Sequence, residues 1–229
     1  MLKIHGVPIS VHTRKVIVAA RLKRLPFEVV PVVPVIPDNL PENWRELSPT
    51  GKIPALQDGD FTLADSAAIC AYLERKQPEP SLYPTDDRRY GHALWLEQYA
   101  GGTVYREVVH PLFFEVFVHP KVKGIATDPA RIDDVLTRVV PEVFGYLDAV
   151  SEGPFLAGDA PSVADLAVMS NLVTMQYIGF TLERARFPKL ANLFDRVIRI
   201  PAVTEVLRAE QPVVQQMGLK SEFLNAVLG

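Results

Sequence analysis

The chain has 229 residues, 48% hydrophobic and 22% charged, with 24 Lys and Arg against 27 Asp and Glu for a formal net charge of -3. That composition excludes intrinsic disorder, and the length predicts one to two compact domains. So even a charge balance provides no positive field for a phosphate backbone, and no nucleic-acid partner is expected. Cys70 is the only cysteine, which excludes an internal disulfide, and with no clustered histidines beside it no metal site is expected. Lys3, Arg14 and Lys15 interrupt the start of the chain, and no apolar run reaches the roughly eighteen residues of a membrane span. A soluble, cytoplasmic protein with no membrane partner is the expectation.

Residues 2–5 alternate apolar and polar and end in Gly6-Val7-Pro8, and from Ser10 to Leu25 no proline or glycine interrupts the chain. This predicts strand, turn and helix. The cations of that helix, Arg14, Lys15, Arg21, Lys23 and Arg24, are expected on a solvated face. Phe27-Glu28-Val29-Val30 suits a second strand, and Pro31, Pro34, Pro37 and Pro41 leave room for only a brief second helix before residue 48. Ile53-Pro54-Ala55-Leu56, Asp58-Gly59 and Phe61-Thr62-Leu63 spell a hairpin, after which Asp65-Ser66 opens a helix from Ala67 to Lys76. The predicted order is therefore βαβ followed by ββα over residues 1–78.

Residues 79–87, with Pro80, Pro84 and Asp86-Asp87, are the expected linker to a second lobe at 88–229. There the apolar residues recur every three or four positions over 88–118, 130–150, 162–178 and 190–200, the pattern of helices alone. Gly101-Gly102 and Pro111 predict a kink or break in the first of them. Ser162 with Asp165 forms a capping-box-like start, a structural device with no catalytic role. The fold class is thus a small α/β domain followed by an all-α bundle.

Four strings in this order, Gly6-Val7-Pro8-Ile9-Ser10 with Thr13-Arg14, Ser48 to Leu56, Asp65 to Ile69, and Phe155 to Asp159 with Ser162 and Ala164-Asp165, resemble the cytosolic glutathione transferases along the whole chain. The resemblance implies a thioredoxin-like first domain and a helical second domain. The first string, Leu96-Glu97 and the hairpin Asp58-Gly59-Asp60-Phe61 are most similar to the serine-type, phi-like group of plants and bacteria. The first strand carries no tyrosine, with His5 near the position where other groups have one, and Ser10 stands where still others have cysteine.

From the residues alone Ser10 reads as a helix N-cap; by resemblance, it would donate its hydroxyl hydrogen to the glutathione sulfur. A thiol of pKa near 8.5 is about 3% ionised at pH 7, and lowering it two units makes about three quarters of it thiolate. The resemblance further implies a cis bond before Pro54, with the Ile53 backbone pairing with the cysteinyl unit of the peptide. Ser66 would take the γ-glutamyl carboxylate, Asp65 the γ-glutamyl amine and Lys52 the glycyl carboxylate. Asn39 stands in the loop where the family adds a further polar contact, here Asp38-Asn39-Leu40-Pro41 without Lys or His. Ile9, His12, His110, Phe113, Phe114 and Phe117 would line the electrophile pocket, although an aromatic stripe at such spacing also suits a core. Cys70 shares a face with Leu73 and is expected to pack.

The implied activity is a glutathione transferase acting on small hydrophobic electrophiles, with glutathione as co-substrate and a homodimer as the assembly. A non-catalytic glutathione- or protein-binding module and a glutathione-dependent isomerase or dehalogenase are the alternatives. Reduction of disulfides would need a cysteine near Ser10.

Overall fold

A computed structural model describes residues 1–36 and 40–229. Strand β1 (Leu2–His5), helix α1 (Val11–Leu22) and strand β2 (Phe27–Val30) form the βαβ unit, with Leu2 opposite Phe27 and His5 opposite Val30 in parallel register. After the short α2 (Trp44–Leu47), β3 (Ala55–Asp58) and β4 (Phe61–Ala64) make the antiparallel hairpin, and α3 (Ser66–Lys76) follows. The sheet order is β2-β1-β3-β4.

Alternation along the strands sends their side chains to two separate cores. Leu2, Ile4 and Leu56 join α1 and α3 in the main core, whereas Ala55 meets Val32, Trp44 and Leu47 in a small second one. Gly6 links β1 to α1 at φ 155°, and a Cβ there would lie 2.5 Å from the Thr13 Oγ1, so only glycine lets the turn pass over α1.

The remainder is helical: α4 (Asp87–Tyr99), a π-helical stretch π1 (Ala100–Val109), α5 (His110–Phe113), π2 (Phe114–Lys123), α6 (Pro129–Asp134), π3 (Val135–Val139), α7 (Val140–Val150), α8 (Val163–Tyr177), α9 (Pro188–Ile198), α10 (Pro201–Gln216) and α11 (Glu222–Leu228). Of the kink or break expected at Gly101-Gly102 and Pro111, the chain shows no break; the helix continues by widening its turns. Asn171 of α8 donates to the Ala100 carbonyl at 3.1 Å, giving it a partner off the helix where the winding changes. Pro111, which has no amide hydrogen to offer, stands in the first turn of α5 just after that change. Helix α8 is buried at every position but Gln176 and forms the axis of the second lobe. Among the described residues no helix is long and apolar enough to cross a membrane.

One expectation is overturned. Arg14, Lys15 and Lys23 are not on a solvated face but buried, at 0%, 3% and 1% exposure, while Arg21 and Arg24 are exposed. The reason is that α1 packs against the helical lobe, where Arg14 and Lys15 meet carboxylates, while Lys23, just past the end of α1, meets one on α3 of its own domain. Arg14 pairs with Glu210 of α10 at 2.8 Å, Lys15 with Glu97 of α4 at 2.8 Å, and Lys23 with Glu74 of α3 at 2.5 Å.

Candidate functional site

Ser10 sits at the N-cap of α1 with extended backbone (φ -68°, ψ 132°), and its carbonyl accepts the first helical bond, from the Arg14 amide at 2.8 Å. Its half-buried hydroxyl caps nothing and has no hydrogen-bond partner among the described residues. A serine at this position normally spends its oxygen on the second or third amide of the helix. Here that oxygen is available to a ligand.

The start of α3 contrasts with it. Asp65 caps that helix with one carboxylate oxygen, Oδ1, which accepts from the Ala67 and Ala68 amides at 2.8 and 3.2 Å, and leaves Oδ2 without a partner among the described residues. It does so at φ 79°, a left-handed conformation that costs a non-glycine residue on the order of 1–3 kcal/mol. Ser66, next along, is buried, with Oγ 3.5 Å from the His12 Nδ1.

The Ile53–Pro54 bond is cis, and neither the amide nor the carbonyl of Ile53 has a partner among the described residues. The segment before it is fixed from below: the Ser48 hydroxyl donates to the Lys52 carbonyl at 2.6 Å, and the Trp44 indole donates to the Gly51 carbonyl at 3.1 Å. The Lys52 side chain is exposed and makes no ion pair among the described residues. Asn39 lies outside the described residues.

From His12, beside Ser66, an aromatic wall extends. The His12 ring meets Tyr105 edge-on at 4.5 Å, Tyr105 meets His110 at 5.7 Å, and His110 stacks on Phe114 at 4.2 Å. Burial lowers the His12 pKa to about 4, with the nearby charges of Lys15 and Lys52 acting in the same direction and Asp65 opposing them. Burial also lowers that of His110, again with help from Arg131 and Lys52. Both imidazoles are thus held toward the neutral form, and the charge of Lys52 acts on both. Phe113 and Phe117 stack on each other at 5.3 Å as a separate pair, and Ile9 is buried in the main core.

Tyr105 was not anticipated from the sequence. It lies five residues before His110, a spacing that falls on no α-helical face and comes together only on a π-helical turn. Cys70 is fully buried, and burial pushes its thiol up to about 12, which keeps it protonated. No cluster of three or more His, Cys, Asp or Glu side chains suited to a metal occurs among the described residues.

The described residues thus offer an unpaired stretch of main chain at Ile53, a free Asp65 carboxylate oxygen, a buried Ser66 beside His12, an exposed Lys52 and an uncapped Ser10 hydroxyl two residues before His12. Comparison with known proteins identifies the family. Residues 4–81 match the family model described as glutathione S-transferase, N-terminal domain, and residues 115–210 match glutathione S-transferase, C-terminal domain. The chain is 31% identical to human glutathione S-transferase theta-1 over 80% of its own length and 77% of the relative's. It is 26% identical to glutathione S-transferase 1 of Zea mays, over 92% and 98% of the two chains. A solved glutathione S-transferase from Rhodospirillum rubrum F11 superposes with a TM-score of 0.80 at 27% identity, covering 90% of this chain and 92% of that one. The chain belongs to the glutathione S-transferase family.

Proposed function

We propose that this glutathione transferase is of the serine type, phi-like, and that Ser10 holds the glutathione sulfur as a thiolate for attack on a small hydrophobic electrophile. One observation carries this reading: the Ser10 hydroxyl occupies a helix N-cap and yet caps nothing. A hydrogen bond to a charged group contributes about 1.5–3 kcal/mol and a helix N-terminus about 0.3–1 kcal/mol. Lowering the thiol by two pKa units requires about 2.7 kcal/mol, so these two sources suffice.

In this reading the Ile53 backbone pairs with the cysteinyl unit in the manner of an added strand. The Asp65 Oδ2 takes the γ-glutamyl amine, while Ser66 and the amides at the start of α3 take its carboxylate. Lys52 meets the glycyl carboxylate, with Asn39 as the further polar contact. The electrophile lies against His12, Tyr105, His110 and Phe114, backed by Ile9, Phe113 and Phe117, close enough to the sulfur for the proximity contribution. Neutral imidazoles suit an apolar substrate. Residues 1–78 act as the glutathione-binding domain, 79–87 as the connector and 88–229 as the helical domain.

The test is a glutathione titration followed by thiolate absorbance near neutral pH, in wild type and Ser10→Ala. Saturable thiolate formation that disappears in the variant is expected; equal ionisation in both proteins refutes the assignment. The expected assembly is a homodimer, and a species of 25.5 kDa alone in sedimentation at micromolar concentration contradicts it.

A further inference from the structure

Arg14 is wholly buried, and the reading of Ser10 as thiolate donor does not by itself use it. A guanidinium has five N–H donors, and all five are engaged here. Nε donates to the Glu210 Oε1 at 2.8 Å and Nη2 to the Glu210 Oε2 at 3.0 Å, a bidentate pair. Nη1 donates to the Ser170 carbonyl at 2.8 Å and the Thr174 Oγ1 at 3.0 Å, both on α8. The second Nη2 donor goes to the Ile9 carbonyl at 3.0 Å. Tyr177 braces the far side by donating to the Glu210 Oε2 at 2.6 Å.

Four of these five bonds end in the helical lobe. The fifth ends on the peptide group that joins Ile9 to Ser10. A peptide group is planar and rigid, so its two ends fix the residue it leads into. The oxygen end of this one is held by Arg14, and the nitrogen end by the bond from the Ser10 amide to the Val7 carbonyl at 3.0 Å. Ser10 has no side-chain cap to anchor it, so these two bonds and the start of the α1 ladder set where its hydroxyl points.

We propose that Arg14 is a positioning residue for the known reaction: through the Ile9 carbonyl it aligns the Ser10 hydroxyl against the helical lobe that carries the electrophile wall. The inference rests on Ser10 being the thiolate donor. Its physical basis is that one guanidinium spans two parts that must keep register, the donor to the sulfur and the helices α8 and α10. Lysine has the charge but only three donors on a single atom, and it cannot hold the Glu210 carboxylate in a bidentate pair, α8 and the Ile9 carbonyl together.

The experiment compares wild type, Ser10→Ala, Arg14→Lys and the double variant by the pH dependence of kcat/KM and by the absorbance titration of bound glutathione, with folding verified by circular dichroism. Ser10→Ala is expected to raise the apparent thiol pKa by about one to two units. Arg14→Lys is expected to produce at least half of that rise and about a tenfold fall in kcat, with KM for glutathione changed less than about twofold. The double variant should show no more than the Ser10→Ala rise, because Arg14 acts through that hydroxyl. A folded Arg14→Lys protein with the wild-type pKa and a full, additive Ser10 effect overturns the proposal. If Arg14→Lys does not fold, Tyr177→Phe, which slackens Glu210 without touching Ile9, decides: a smaller rise in the same direction supports the proposal and a wild-type pKa overturns it. A wild-type pKa in Ser10→Ala refutes the thiolate-donor reading itself, a result distinct from failure of the Arg14 proposal alone.

Discussion

At its start α1 leaves the Ser10 hydroxyl without a partner among the described residues, whereas farther along Arg14 and Lys15 are buried against Glu210 and Glu97 of the helical lobe. One helix thus treats its polar atoms in opposite ways at its start and along the side that meets the helical lobe. A half-exposed hydroxyl remains solvated when unpaired and costs little, while a buried charge deprived of its partner costs several kcal/mol. The part of the helix that meets solvent can therefore hold chemistry in reserve, and the part that joins the domains cannot. Stability and turnover should accordingly separate on α1, and substitutions on either side test whether they do.

The largest effect belongs to the seam. Glu97→Ala leaves Lys15 buried without its counter-charge and is expected to destabilise the fold by about 3–5 kcal/mol, measured by urea unfolding. Lys15→Met with Glu97→Leu should restore most of that loss, because a well-packed apolar pair often replaces a buried ion pair at little cost. If Glu97→Ala unfolds at the wild-type midpoint, the seam is not the structural element described above.

Ser10→Ala should behave in the opposite manner. Loss of one hydrogen bond to a thiolate lowers conjugation by about ten- to a hundredfold. Stability should change by less than about 0.5 kcal/mol, well under the cost of removing a working cap, since this hydroxyl caps no amide. A drop of 1 kcal/mol or more in the urea experiment, a threshold of about one typical cap, would mean that Ser10 works as an ordinary N-cap in solution and that the contrast with the seam is false.

The same contrast explains what the sequence revealed. Strands β1 to β4, the Asp58-Gly59 turn and the Asp65-Ser66 helix start were legible because each depends on neighbours in the chain: alternation, glycine at a turn, an acidic cap. Ser10, Asp65 and Ser66 entered as candidates through local strings of the same kind, by their resemblance to a family. The seam was not. Arg14 and Glu210 stand 196 positions apart, and Lys15 and Glu97 stand 82 apart, so nothing near Arg14 in sequence distinguishes it from the exposed Arg21. Nor was the π-helical winding legible, since a reading at 3.6 residues per turn separates Tyr105 from His110, which the wider turn brings within 5.7 Å. Local chemistry marks a site, and long-range pairing builds the platform beneath it.

The smallest effect at neutral pH sits where the two regions meet, at His12, which follows Ser10 by two residues and lies against Ser66 and Tyr105. Its pKa is lowered by burial from 6.5 to about 4 in the folded protein. Above pH 6.5 the ring is neutral in both states and contributes no pH dependence. Between about 6.5 and 4 the unfolded chain binds a proton at this ring that the folded protein refuses, so unfolding takes up about one proton and stability falls as the pH falls. Below about 4 both states are protonated and the slope from this residue vanishes. His12→Gln should therefore match wild type in urea midpoint at pH 7 or lose a constant amount, and from pH 6.5 to 4.5 it should lose stability less steeply than wild type. Parallel curves across that interval would show that His12 titrates as it does in the unfolded chain, and the neutral, apolar edge assigned to the site beside Ser10 would then be wrong.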